Sequence, residues 1–252
     1  MSPADEQRRF DRAADTFDSA DFVLATTREG LLTRLEPITI DARYVVDLGS
    51  ATGSAVRTLE RRFKRARILA VDLSQEMLQK ARSKKSWLSK TAFLQADAAT
   101  LPFLDHSIDV VFANQLLPWM RDSGPVFAEV SRVLRKDGLF LFATLGPDSL
   151  RGLRHDPFAD MHDVGDALVK AGLRDPVLDV DRLTVTYENT RSLLDDFSAI
   201  GARHCIPDDI KEAGPELGLE LELVYGHCWG GGRRPANGEY RVDAGQIGMR
   251  SR

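Results

Sequence analysis

The stretch Tyr44-Val45-Val46-Asp47-Leu48-Gly49-Ser50-Ala51-Thr52-Gly53 limits the possible folds of this chain more than any other. Its apolar run reads as a buried strand closed by an acid. Small residues then open a turn into a helix expected over 54–63. A strand, a tight turn and a helix in that order start a nucleotide-type α/β domain. Glycine suits the turn because a residue without Cβ can take positive φ and let a ligand come close. A second apolar run, Ile68-Leu69-Ala70-Val71-Asp72, ends in an acid 23 residues after Gly49. A carboxylate at that point can accept both ribose hydroxyls of an adenosine.

The pattern repeats downstream. Leu73-Ser74-Gln75-Glu76-Met77-Leu78 reads as a helix start with Ser74 as its N-cap. Met77 falls where an apolar side chain can press on an adenine, and a core methionine is the structural alternative. Ala92-Phe93-Leu94-Gln95-Ala96-Asp97 is a third strand ending in an acid. Asp97 can accept from an adenine amine, with the backbone N–H of Ala98 available to a ring nitrogen. Three successive strands thus end in Asp at one sheet edge. A fourth strand, ending at Asn114, abuts the crevice where open α/β sheets bind ligands. The segment through Trp119 and Arg121 follows it, where an acceptor would face the cofactor. A helix is expected over 124–136, stopped by Lys136-Asp137-Gly138, and a fifth strand over 139–145. Asp148 is expected to cap a short helix over 149–155, and a further helix over 160–172 ends at Gly172. Two late strands, 176–187 and 219–229, flank a helix over 189–201, and 239–242 can add an edge strand. The fold class is therefore α/β, a doubly wound Rossmann-like sheet. Residues 1–43 read as an N-terminal helical lid, 44–230 as the core and 231–252 as a basic, solvated tail.

Composition sets the outer bounds. The chain has 252 residues, 43% apolar and 29% charged, with net charge −4. That suffices for one domain with a sizeable core. No run approaches the ~18 apolar residues of a membrane span, and the polar N-terminus has no signal-peptide core. Cys205 and Cys228 form no C-x-x-C pair, which points to neither zinc nor a disulfide framework. His155 and His162 lack metal-site spacing among their neighbouring carboxylates. A cytoplasmic protein with no metal, membrane or nucleic-acid partner is expected.

The loop selects the cofactor. A nicotinamide fingerprint places glycines where this chain has Gly49, Ala51 and Ser54, so the spacing is wrong for it. No Tyr-x-x-x-Lys pair supplies a reductase proton relay either. Asp47-x-Gly49-x-x-x-Gly53 instead resembles the S-adenosylmethionine loop of class I methyltransferases, with Ala51 in place of the middle glycine. That resemblance implies a seven-stranded sheet with a late antiparallel strand. It implies cofactor contacts from Asp47, Gly49, Ser50, Ala51, Gly53, Asp72, Leu73, Met77, Asp97, Ala98 and Asn114. In the N-terminal helices, Arg12 is placed to reach the methionine carboxylate and Phe17 to cover the cofactor.

A closer resemblance spans nearly the whole chain. The segments are Arg9-Phe10-Asp11-Arg12-Ala13-Ala14-Asp15-Thr16-Phe17, Phe142-Ala143-Thr144-Leu145-Gly146-Pro147-Asp148-Ser149-Leu150, Asp160-Met161-His162-Asp163-Val164-Gly165-Asp166, Leu183-Thr184-Val185-Thr186-Tyr187 and Val224-Tyr225-Gly226-His227-Cys228-Trp229. Each is similar to the malonyl-acyl-carrier-protein O-methyltransferase family of biotin synthesis. The family methylates the free carboxylate of a malonyl thioester and releases S-adenosylhomocysteine. Two departures stand out: Phe17 replaces a common tyrosine, and 204–217 is short. The same resemblance extends to a mitochondrial complex I assembly factor that hydroxylates an arginine. The alternatives are therefore another small carboxylic acid as acceptor, or a S-adenosylmethionine-binding factor acting on a protein partner. Malonyl-acyl-carrier protein or malonyl-CoA is the expected partner. A carboxylate is ionised at neutral pH, so no general base is expected. Arg121, Arg151, Arg154 and Trp119 are the candidate acceptor-binding residues, since arginine suits carboxylate and phosphate.

Overall fold

The structure is a computed structural model that describes residues 3–151, 153, 158–207, 210 and 217–231. Seven strands form one sheet: β1 (Tyr44–Leu48), β2 (Arg67–Asp72), β3 (Ala92–Gln95), β4 (Ile108–Asn114), β5 (Leu134–Leu145), β6 (Leu173–Tyr187) and β7 (Leu217–Gly230). Their order is β3-β2-β1-β4-β5-β7-β6, with β1 to β5 parallel and β7 antiparallel to both its neighbours. The order reverses at β1 and β4. Chain crossovers leave in opposite directions there and open a crevice at the carboxyl ends.

The helices are α1 (Pro3–Ala13), α2 (Phe22–Leu35), α3 (Val56–Arg62), α4 (Gln75–Ser83), α5 (Gly124–Val133), α6 (Met161–Lys170) and α7 (Thr190–Ala199). Strand alternation assigns them to two layers. Val45, Ile68, Val110, Phe112 and Leu139 join one core with Leu31, Leu35, Leu59 and Leu193 from α2, α3 and α7. Val46, Leu69, Val111, Phe140 and Phe142 join the other with Val126, Phe127 and Leu168 from α5 and α6. Burial on both faces is why the parallel strands read as continuous apolar runs. At the β5–β7 seam Gly226 lies opposite Phe142, and a Cβ there would fall 2.3 Å from the Phe142 ring.

Several expectations change. The third strand stops at Gln95, so Asp97 lies two residues beyond its end. The helix after the glycine loop starts at Val56, because residues 50–55 stay in turns. The helix expected to reach Lys136 stops at Val133. Leu134 is fully buried and pairs with Ile108, so the sheet captures the chain three residues early. Asp137 then takes a left-handed φ of 60° within β5. Residues 149–151 form turns; of the rest of the short helix expected over 149–155, residues 152, 154 and 155 lie outside the described residues. The Asp148 carboxylate is taken by Arg151 and by Arg182, the latter at 2.9 Å. Ser74 does cap α4, accepting from Met77 N–H at 3.1 Å, and Gly172 takes φ 93° just past α6. The suggested edge strand at 239–242 and the tail lie outside the described residues.

Candidate functional site

The glycine loop leaves β1 by sharing one acceptor: the N–H groups of Gly49 and Ser50 both donate to the Val71 carbonyl, at 2.9 and 3.0 Å. Gly49 has φ 73°, and a Cβ on it would meet Leu116 at 3.1 Å. Gly53 has φ 78°, and a Cβ there would sit 2.9 Å from that of Ala81 on α4. Both glycines are thus required by conformation and by close approach. Ala51 adopts φ 44° despite its Cβ, which costs about 1 kcal/mol. Its N–H donates to Asp72 Oδ2 at 2.8 Å, which holds that turn in place.

The loop roofs a cavity of about 250 Å³ at the carboxyl edge. Of the expected cofactor residues, Gly49, Ala51, Asp72, Leu73, Met77, Asp97, Ala98, Asn114 and Phe17 line it. Asp47, Ser50 and Gly53 do not line it. Asp47 is 2% exposed with Oδ2 unpartnered, and the buried Ser50 Oγ and Asn114 Oδ1 also lack partners. Buried polar atoms without partners are costly, so a concentration of them at one crevice marks a place where a polar ligand completes the bonding. Asp72 spends one lone-pair direction of each oxygen on backbone, with Oδ1 accepting from Ser74 N–H at 2.8 Å. Its remaining lone pairs are available to a diol.

The acids are tuned by their surroundings. Burial, helped by neighbouring Asp72, pushes Asp47 up to about 7, while Arg28 pulls the other way. Burial pushes Asp72 up to about 6 against the backbone donors of Ser74, Ala51 and Leu73. Glu6, which also lines the cavity, is raised by burial.

Two side chains of the expected set lie elsewhere. Arg12 is exposed on α1 and does not line the cavity. The half-buried Arg28 on α2 is the cation whose charge acts on Asp47, and it stands 3.6 Å from Asp21. Arg151 is 73% exposed and held by Asp148, away from the cavity lining. Arg154 lies outside the described residues. Arg121 is exposed at the mouth, and Trp119 forms a wall. Trp119 packs edge-on against Phe10 at 5.1 Å, and the Arg9 guanidinium lies 5.4 Å over its ring.

Sequence reasoning passed over three groups. Arg28 and Glu6 carry no motif; helix packing brings Glu6 to the cavity wall and Arg28 within electrostatic reach of Asp47. Gln115 carried a signal in its position directly after Asn114. It leaves β4 with φ 56° and donates its N–H to the Ala143 carbonyl at 2.9 Å. The side chain is 5% exposed and Nε2 has no partner.

A second cavity of about 80 Å³ adjoins the first, and Leu24, Gln115 and Trp119 line both. Its walls are almost wholly apolar, among them Phe22, Leu145, Leu150, Phe158 and Leu221. Tyr187 and Asp196 are its acidic groups. They hydrogen-bond each other, and burial pushes the phenol up to about 12. No lysine, arginine or histidine lines it among the described residues.

Comparison with known proteins places this arrangement. A methyltransferase-domain family model matches residues 46–142. The YcgJ protein from Bacillus subtilis superposes with a TM-score of 0.61 at 16% identity, covering 81% of this chain and 98% of that one. This likeness shows the same seven-stranded class I methyltransferase fold. The malonyl-acyl-carrier-protein O-methyltransferase of Halorhodospira halophila is 36% identical over 295 aligned positions, covering 100% of both chains. That of Gallionella capsiferriformans is 34% identical over 259 positions, covering 88% of this chain and 89% of its own. With the fold, the loop and full-length similarity in agreement, the chain belongs to the malonyl-acyl-carrier-protein O-methyltransferase family, within the S-adenosylmethionine-dependent methyltransferases.

Proposed function

We propose that this chain binds S-adenosylmethionine in the larger cavity and methylates the free carboxylate of a malonyl thioester, carried by an acyl-carrier protein or coenzyme A. One observation carries the reading. An acid-lined, nucleoside-sized cavity meets an apolar one at a single junction formed by Leu24, Gln115 and Trp119.

The residues present suit the cofactor. Asp72 offers acceptors to the ribose hydroxyls, and Asp97 with Ala98 faces the adenine edge. Met77 and Phe17 supply apolar cover, and the unpartnered Asn114 Oδ1 lies on the wall assigned to the methionine end, with Asp47 Oδ2 and Ser50 Oγ behind the lining. Arg28 replaces Arg12 as the nearby cation. When bound, the cofactor supplies an already activated sulfonium methyl. The chain's task is to align the acceptor oxygen within ~3–3.5 Å and to exclude water from it. An ionised carboxylate needs no proton removed, so no residue acts as general base. Phe10 and Trp119 keep solvent from the junction, and Pro3, Glu6 and Phe10 of α1 close the cofactor side as a lid. On the outer side of Trp119, Arg9 and Arg121 share a concavity with His204. That rim suits the phosphate of a phosphopantetheine arm.

The test compares malonyl-CoA with acetyl-CoA, which lacks the free carboxylate. Release of S-adenosylhomocysteine should depend on malonyl-CoA and be absent with acetyl-CoA. Equal release with both, or none with either at saturating S-adenosylmethionine, would contradict the reading.

A further inference from the structure

Gln115 lies at the boundary between the two cavities and is unsatisfied there. Its backbone adopts a left-handed φ of 56°, a conformation that L side chains rarely hold without cause. That turn aims a buried amide at the junction rather than continuing the sheet. Nε2 has no partner, although a buried donor ordinarily finds one. The second cavity brings no cationic side chain of its own among the described residues, and its carboxylate and phenol are paired with each other. Among the described residues, an anionic acceptor entering from that side meets one unsatisfied donor, Gln115 Nε2.

We infer that Gln115 is the acceptor-positioning residue: its Nε2–H donates to the carboxylate oxygen that is not methylated and turns the other oxygen toward the cofactor. The inference rests on the acceptor reading above. A donor at one oxygen fixes the plane of the carboxylate without neutralising its charge, so the attacking oxygen keeps its nucleophilicity. A nearby arginine would bind the carboxylate more tightly and also draw charge from it. Trp119 and Leu24 flank the amide and shield the bond from water, which strengthens it.

The experiment uses the full chain saturated with S-adenosylhomocysteine and measures the affinities of malonyl-CoA and acetyl-CoA by calorimetry, for the wild type, Gln115→Leu and Gln115→Glu. The wild type should prefer malonyl-CoA. Gln115→Leu should lose about ten- to a hundredfold in malonyl-CoA affinity, the range for a hydrogen bond to a charged group. Its acetyl-CoA affinity should stay within about twofold. Gln115→Glu should lose more, by repulsion between carboxylates. Affinity for S-adenosylhomocysteine and the melting temperature should be unchanged in Gln115→Leu, and kcat/KM for malonyl-CoA should fall in step with the affinity. Parallel loss for both thioesters would mark a structural defect and overturn the inference, as would a Gln115→Leu variant with undiminished malonyl preference. A wild type that neither binds nor methylates malonyl-CoA would overturn the acceptor reading, and this inference with it.

Discussion

At the residue scale, the acids at the strand ends carry the cofactor assignment. Asp72 is the sharpest case: it is half-buried, raised to about 6, and already bonded to the backbone N–H groups of Ala51 and Ser74. Replacing it by Ala should weaken S-adenosylmethionine binding by roughly 1.5–3 kcal/mol. Calorimetry that found unchanged affinity would remove Asp72 from the ribose site. Arg12 and Arg28 provide a second contrast. Arg28 holds down the raised carboxyl of Asp47, whereas Arg12 faces solvent. Arg28→Gln should weaken cofactor binding severalfold, and Arg12→Gln should leave it unaltered; the opposite ranking would return Arg12 to the site. The acids were legible in the sequence because each ends an apolar run. Arg28 was not, because it depends on how α2 packs; the position of Gln115 after the fourth strand was legible, but the left-handed torsion that turns it from the sheet was not.

At the scale of elements, α1 and the segment after it are fastened to α4 and its flanking residues by polar contacts. Asp11 Oδ1 accepts from Ser74 Oγ at 2.6 Å, Lys80 pairs with Asp15 at 2.5 Å, and Lys84 pairs with Asp18. Most of these groups are exposed, so each pair adds little stability. What opposes local opening is then mainly the small apolar cluster of Ala13, Ala14, Phe17 and Met77. Hydrogen exchange should show residues 3–20 gaining protection when S-adenosylmethionine binds, with β4 and β5 protected in both states. Unchanged exchange in α1 would argue against a lid. The β5–β7 seam behaves differently. Gly226→Ala would push a methyl into the Phe142 ring, and the overpacking should cost about 1–3 kcal/mol in denaturant melts. The parallel strands and most helices could be read from period and caps. The early end of α5 could not, since it is imposed by Leu134 pairing with Ile108 rather than by a local stop signal.

At the scale of the whole molecule, Asp47 and Asp72 couple stability to pH. Their folded values, about 7 and about 6, lie above the ordinary 3.8. The folded chain therefore binds more protons than the unfolded chain between about pH 4 and pH 7, and these groups lower stability as pH rises through that window. A ligand that bonds to the ionised carboxylates lowers both values and expels protons. The rise in melting temperature caused by S-adenosylmethionine should thus be larger at about pH 8 than at about pH 5.5. A rise of equal size at both would show that neither carboxyl senses the cofactor.

The joined cavities, the cofactor acids and the family assignment converge on one chemical event, and intact mass spectrometry reads it directly. Malonyl-acyl-carrier protein would be incubated with this protein and S-adenosylmethionine, then weighed before and after mild ester hydrolysis. The expected result is a gain of one methyl group, removed by hydrolysis and absent when acetyl-acyl-carrier protein is used. An unchanged mass at saturating cofactor with the malonyl group intact, or a methyl that survives hydrolysis, would contradict carboxyl methylation of the malonyl thioester.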